Sequence, residues 1–177
     1  MMKKALPLFL VLTLSFACQS QQPEAVRAIE AQEAILFNDT TGVVDPKAGA
    51  TMIELYLAYA DSNVADTART ADYLFKAAEV SMGIGEYWKS IQLFNRMKQT
   101  YPNHELAPEA LFYQGFIFEN YVGLTEYARK SYAEYLQKYP EGARAQDIRN
   151  TLAVMDRPIE DVVKDWEQNQ NQGTEKE

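Results

Sequence analysis

The side chains able to do chemistry are few, and their spacing is poor for it. His104 is the only histidine and stands beside Glu105. A zinc-holding helix needs a second histidine one turn along the same face, and the chain has none. His104 therefore reads as a solvent-facing linker residue. Cys18 is the only cysteine, which excludes an internal disulfide framework and a cysteine-rich zinc site. A nucleophilic thiol needs a base held beside it, and the polar tract after Cys18 is a tether that cannot hold one. Gly83-Ile84-Gly85 begins like a phosphate-binding loop. However, Trp88 occupies the third glycine position and no strand precedes the motif, so it reads as a helix-to-helix turn. The carboxylates are spread among Lys and Arg as on a solvated helical surface, and no pair stands out as acid and base. These residues predict no enzyme, no metal and no cofactor.

The chain has 177 residues, enough for about one domain. It is 47% hydrophobic and 24% charged, which is ordinary globular composition. Its 17 basic and 25 acidic residues leave a net charge of −8, unsuited to nucleic acid, which is bound through a basic face. Lys3 and Lys4 precede an apolar run over residues 5–17. A spanning helix needs roughly 20 apolar residues, so this shorter run reads as a secretory signal peptide.

The residues Leu14-Ser15-Phe16-Ala17-Cys18 resemble a bacterial lipobox. The resemblance implies that residues 1–17 are removed, Cys18 is acylated as the lipid attachment site, and residues 18–25 form a tether. Gln19 after the cysteine implies the outer membrane, with the protein facing the periplasm. Several acyl chains anchor firmly where one does not. The alternative is ordinary cleavage after Ala17, giving a soluble periplasmic protein. Without Lys3 and Lys4 the remaining side chains carry a net charge of −10, so anchorage falls to the lipid rather than to charge.

Further along, residues 26–45 read as an N-terminal helix and turn. Val26, Ile29 and Leu36 supply the apolar spacing, interrupted by Glu33, and Asn38-Asp39-Thr40-Thr41-Gly42 is turn chemistry. Residues 46–156 then contain an internal repeat. Gly85 and Gly123 are 38 positions apart, as are Ser90 and Ala128, Phe94 and Tyr132, Tyr101 and Tyr139, and Pro102 and Pro140. A small residue followed by an aromatic at i+4 places both on one helical face. Tyr-Pro stops each helix, because the residue before proline is pushed out of the α region. One step back, Ile53, Leu55 and Tyr56 match Ile91, Leu93 and Phe94, but Asn63-Val64 replaces Tyr-Pro and the stop signal is lost. Ile148, Leu152 and Met155 form a covering helix. Ile159, Val162, Val163 and Trp166 stripe a C-terminal amphipathic helix over residues 157–167, and residues 168–177 are a polar, disordered tail.

These marks resemble the tetratricopeptide repeat (TPR). Leu74, Ala77 and Ala78 stand in its first helix, Gly85 and Tyr87 at its turn, Ser90 and Phe94 in its second helix, and Pro102 at its exit. The next copy has Leu111, Gly115 and Phe118, then Gly123, Ala128, Tyr132 and Pro140. It carries one extra residue between Gly115 and Gly123, and Gln114 replaces an apolar residue. Long repeats joined by Tyr-Pro are similar to those of periplasmic TPR lipoproteins, including the BAM-complex outer-membrane assembly lipoprotein and the Tol–Pal-associated repeat protein.

The fold so implied is all-α: a TPR-like right-handed helical solenoid of about two and a half repeats with flanking and capping helices. The repeat-defining core would be Leu74, Ala78, Ser90, Phe94, Leu111, Gly115, Ala128 and Tyr132, with helix stops at Pro102 and Pro140. The first helix of each repeat lines the family's groove. Carried over by position, the partner-binding residues are Asp72, Phe75, Glu79 and Met82, then Glu109, Phe112, Phe116 and Glu119. They would form an acidic rim with exposed Glu79 and Glu119 around an aromatic floor. Such a surface suits envelope proteins or peptide segments with apolar anchors and basic flanks. The resemblance implies a protein–protein interaction scaffold in outer-membrane protein assembly. A Tol–Pal or peptidoglycan-linked division coordinator is the alternative, and a small-ligand-binding or enzyme-accessory helical protein is a second.

Overall fold

The structure, a computed structural model, describes residues 23–36, 44–158, 160, 161 and 164. They form seven α-helices: α1 (Glu24–Leu36), α2 (Pro46–Ser62), α3 (Thr67–Gly83), α4 (Tyr87–Thr100), α5 (Ala107–Ile117), α6 (Thr125–Lys138) and α7 (Ala145–Met155). A single π-helical turn, Phe118–Val122, extends α5. No strand occurs among the described residues. The expected signal peptide, Cys18, the expected turn at 38–42, the Ile159–Val162–Val163–Trp166 stripe and residues 168–177 lie outside the described residues.

Helix starts follow local chemistry. The Asp45 carboxylate accepts the Ala48 N–H at 2.7 Å, and Pro46 fills the first helical position. Asp66 accepts the Arg69 N–H at 3.3 Å to start α3.

The ends of α2, α4 and α6 repeat one geometry every 38 residues. Asn63, Tyr101 and Tyr139 leave the helix at φ −125°, −127° and −132°, with ψ 43°, 58° and 61°. Each donates its N–H to the carbonyl four residues back, at 3.0, 2.8 and 2.7 Å. Asp66, His104 and Gly142 then donate to the carbonyls of those same three residues, at 2.9, 3.0 and 3.0 Å. The Tyr-Pro stop expected at Pro102 and Pro140 is thus in place. The loss of that stop at Asn63-Val64 does not let α2 run on. The Asn63 amide donates to the Tyr59 carbonyl at 2.9 Å, and Asp66 opens the next helix.

The turns within each pair are also related. Gly85 is left-handed at φ 81°, and Glu86 N–H reaches the Ser81 carbonyl, five residues back, at 2.8 Å. With the bond from Gly85 to Met82 at 3.1 Å this is a Schellman cap. Gly123 is left-handed at φ 71°, but Leu124 reaches back six residues, to Phe118, at 2.8 Å. The wider π turn takes up the one extra residue of the second copy.

Each helix packs chiefly on its neighbours in sequence. Val26, Ile29 and Leu36 of α1 share one core with α2, α3 and α4 that ends on Ala110 and Ile117 of α5. A smaller core gathers Leu111, Ala128, Tyr132, Tyr135, Ala145 and Ile148 from α5, α6 and α7. Phe118 packs against both. Leu74, Ala78, Ser90, Phe94, Leu111, Gly115, Ala128 and Tyr132 are all buried. Ser90 Oγ donates to the Ala78 carbonyl at 2.7 Å, an approach that a larger side chain at either position would block. Gln114, polar where an apolar residue was expected, is buried and donates to the Ile91 carbonyl at 3.0 Å.

Candidate partner-binding groove

Asp72, Phe75, Glu79 and Met82 lie on one face of α3 because they recur at helical spacing. Glu109, Phe112, Phe116 and Glu119 do the same on α5 and its π turn. Tyr113, which the sequence pattern passed over, joins the two sets. Its ring centroid lies 6.0 Å from Phe75, 5.4 Å from Phe112 and 6.5 Å from Phe116. It also stacks on Phe94 at 5.4 Å. Tyr113, Phe112 and Phe116 are half-buried. They form a row of rings that reaches Tyr121 through Phe116 at 5.8 Å.

The expected floor changes in one place. Phe75 is only 6% exposed and packs edge-on against Phe94 at 5.2 Å, so it is core rather than contact surface. The intervening Tyr113 covers it. Met82 is half-buried against the first core.

The rim differs more. Arg144, just before α7, bonds Glu109 at 3.1 Å and lies 4.8 Å over the Phe112 ring. Glu119 is half-buried, not exposed, and accepts the Tyr132 hydroxyl at 2.7 Å. Burial first, then this bond, pushes the Tyr132 phenol up. Asp72 lies 3.6 Å from His104 Nε2. His104 is itself not solvent-facing: its side chain is 16% exposed, and its Nδ1 accepts the Leu106 N–H at 3.3 Å. The rim is therefore mixed in charge rather than acidic. Sequence carried no signal for Arg144, because its partner stands on a helix two elements earlier.

Glu79 is also half-buried, not exposed. Burial holds its carboxyl above the usual range, only partly offset by Lys76. With Val44, Tyr56, Lys76 and Val80 it lines a cavity of about 290 Å³ between α2 and α3. Beside it, Glu33 of α1 accepts from Lys76 Nζ at 2.7 Å and from the Tyr56 hydroxyl at 2.6 Å. Burial raises the Glu33 carboxyl, but the two hydrogen bonds and the Lys76 charge outweigh it and hold the group low.

No group of three or more His, Cys, Asp or Glu is placed to hold a metal ion among the described residues. No described helix is long and apolar enough to cross a membrane. Compared with known proteins, the chain matches no family model, no curated protein and no solved structure. The described residues define an all-α protein of sequentially packed helices.

Proposed function

We propose that this protein is a lipid-anchored TPR-like scaffold on the periplasmic face of a bacterial outer membrane. It binds a polypeptide segment on the α3–α5 face, in the service of outer-membrane protein assembly. The observation that carries the binding role is the row of half-buried rings, Tyr113, Phe112 and Phe116, on α5, within an array whose α2, α4 and α6 ends repeat every 38 residues. Rings left partly open at a surface are the anchors that interfaces use. The anchor rests on Cys18 and the apolar run before it.

Site-specific photocrosslinking tests the binding face. A benzophenone side chain at Phe116 is expected to capture a defined envelope polypeptide, and one at Gln137, exposed on α6, is not. Equal capture at both positions, or none at Phe116, would move the interface away from this face. Fractionation tests the anchor. Cys18→Ser is expected to release the protein from the membrane fraction or leave it unprocessed. Mature wild-type protein in the soluble periplasmic extract would overturn the lipid attachment.

A further inference from the structure

We propose that the cavity walled by Val44, Tyr56, Lys76, Glu79 and Val80 receives one basic side chain, lysine or arginine, of the polypeptide bound on the α3–α5 face. The proposal rests on the binding role given above and names what that surface selects.

The argument is one of charge left over. Of the four carboxylates on this face, Glu109 is paired with Arg144, Glu119 accepts the Tyr132 hydroxyl, and Asp72 faces His104. Glu79 has no hydrogen-bond or ion-pair partner among the described residues, although it is half-buried. Lys76 lines the same cavity and its charge partly offsets that of Glu79, but its ammonium is bonded to Glu33 at 2.7 Å, so one cation is shared between two carboxylates. A buried charge is costly unless it is paired. The fold thus sets two carboxylates, Glu33 and Glu79, against the one ammonium of Lys76, and leaves a negative charge over at the cavity wall.

The remaining walls suit a basic side chain and disfavour other occupants. Val44 and Val80 are apolar and would cover an aliphatic stem, while the charged head reaches the carboxylate. An acidic or phosphorylated group would meet Glu79 directly. A neutral apolar group would bury the carboxylate further without pairing it. The volume, about 290 Å³, lies at the lower end of ligand pockets, which start near 300 Å³. That suits one side chain better than a cofactor-sized molecule.

The test uses three fluorescein-labelled peptides, identical except for one residue between two leucines: lysine, norleucine or glutamate. Anisotropy titrations are run against the full mature chain and its Glu79→Gln variant, after melting curves show both folded. The lysine peptide is expected to bind wild type about tenfold more tightly than the norleucine peptide, with the glutamate peptide weakest. Glu79→Gln should erase the lysine advantage by weakening lysine-peptide binding, while the norleucine peptide, no longer burying an unpaired charge, binds at least as tightly as to wild type. Equal binding of lysine and norleucine peptides to wild type would overturn the basic pocket and leave the binding face standing. So would a lysine advantage that survives Glu79→Gln. Failure of all three peptides to bind would overturn the pocket and the binding face together.

Discussion

Tyr56 is fully buried, and its hydroxyl has one acceptor, the carboxylate of Glu33 on another helix. In the sequence, Glu33 only interrupts the apolar spacing of α1. In the fold it ties α1 to α2 through Tyr56 and to α3 through Lys76. No pattern within α1 could reveal this, since its partners stand 23 and 43 residues away. Glu33→Ala strands a buried hydroxyl, which costs about 1–3 kcal/mol. In the Tyr56→Phe background the same change should cost much less, and denaturant melts of the four proteins check the coupling. The Glu33 carboxyl is held low in the folded state, so its stabilisation is present above the ordinary carboxylate range and lost as pH falls through its lowered value. Glu79 has the opposite sign. Its carboxyl is held high, so the folded state is penalised once pH rises past the unfolded value, and fully so above the folded one. Glu79→Gln should therefore melt at or above wild type at neutral pH, with the gain vanishing in acid. A clear loss of stability at neutral pH would show that Glu79 serves the fold rather than a ligand.

At the scale of elements, punctuation was legible where it is local. Tyr-Pro and the two left-handed glycines act through φ and ψ of single residues, so the turns at 85, 101, 123 and 139 could be read directly. The end of α2 could not, because Asn63 and Asp66 do by side-chain hydrogen bonding what Tyr-Pro does elsewhere. The π turn was visible only as one residue too many. A Cβ added at Gly85 or Gly123 would meet nothing within 4 Å, so the cost of alanine there is conformational alone. Gly85→Ala and Gly123→Ala should each destabilise by about 1–2 kcal/mol. Asparagine, which tolerates the left-handed region, should cost less at both sites. Gly115→Ala differs in kind. Its Cβ would lie 2.5 Å from the Tyr132 ring, and that ring is fixed by Glu119 and buried. Overpacking of about 1–3 kcal/mol should exceed the helix propensity gained from losing glycine. Equal melting temperatures for Gly115→Ala and wild type would mean that Tyr132 has room to move.

For the whole molecule, the sequence repeat foretold an all-helical chain but not how its core divides. The larger core runs from α1 to one face of α5 and the smaller from α5 to α7, with Phe118 touching both. In an array whose members touch chiefly their neighbours, damage should stay near where it is made. Phe94 and Ile148 test this, because both are buried but lie in different cores. Phe94 packs on Phe75 and Tyr113, and Phe94→Ala should cost about 3–5 kcal/mol. A domain of this kind is stable by only about 5–15 kcal/mol, so the larger core should melt much earlier. Ile148→Ala, at about 2–5 kcal/mol, should instead open α7 and the face of α6 beneath it. Native-state hydrogen exchange separates the two outcomes. In Ile148→Ala, amides of α6 and α7 should lose protection while those of α2, α3 and α4 keep wild-type rates. In Phe94→Ala, protection should fall from α2 through α5 together. Uniform loss along the chain in Ile148→Ala would mean that the two cores unfold as one, through the shared Phe118.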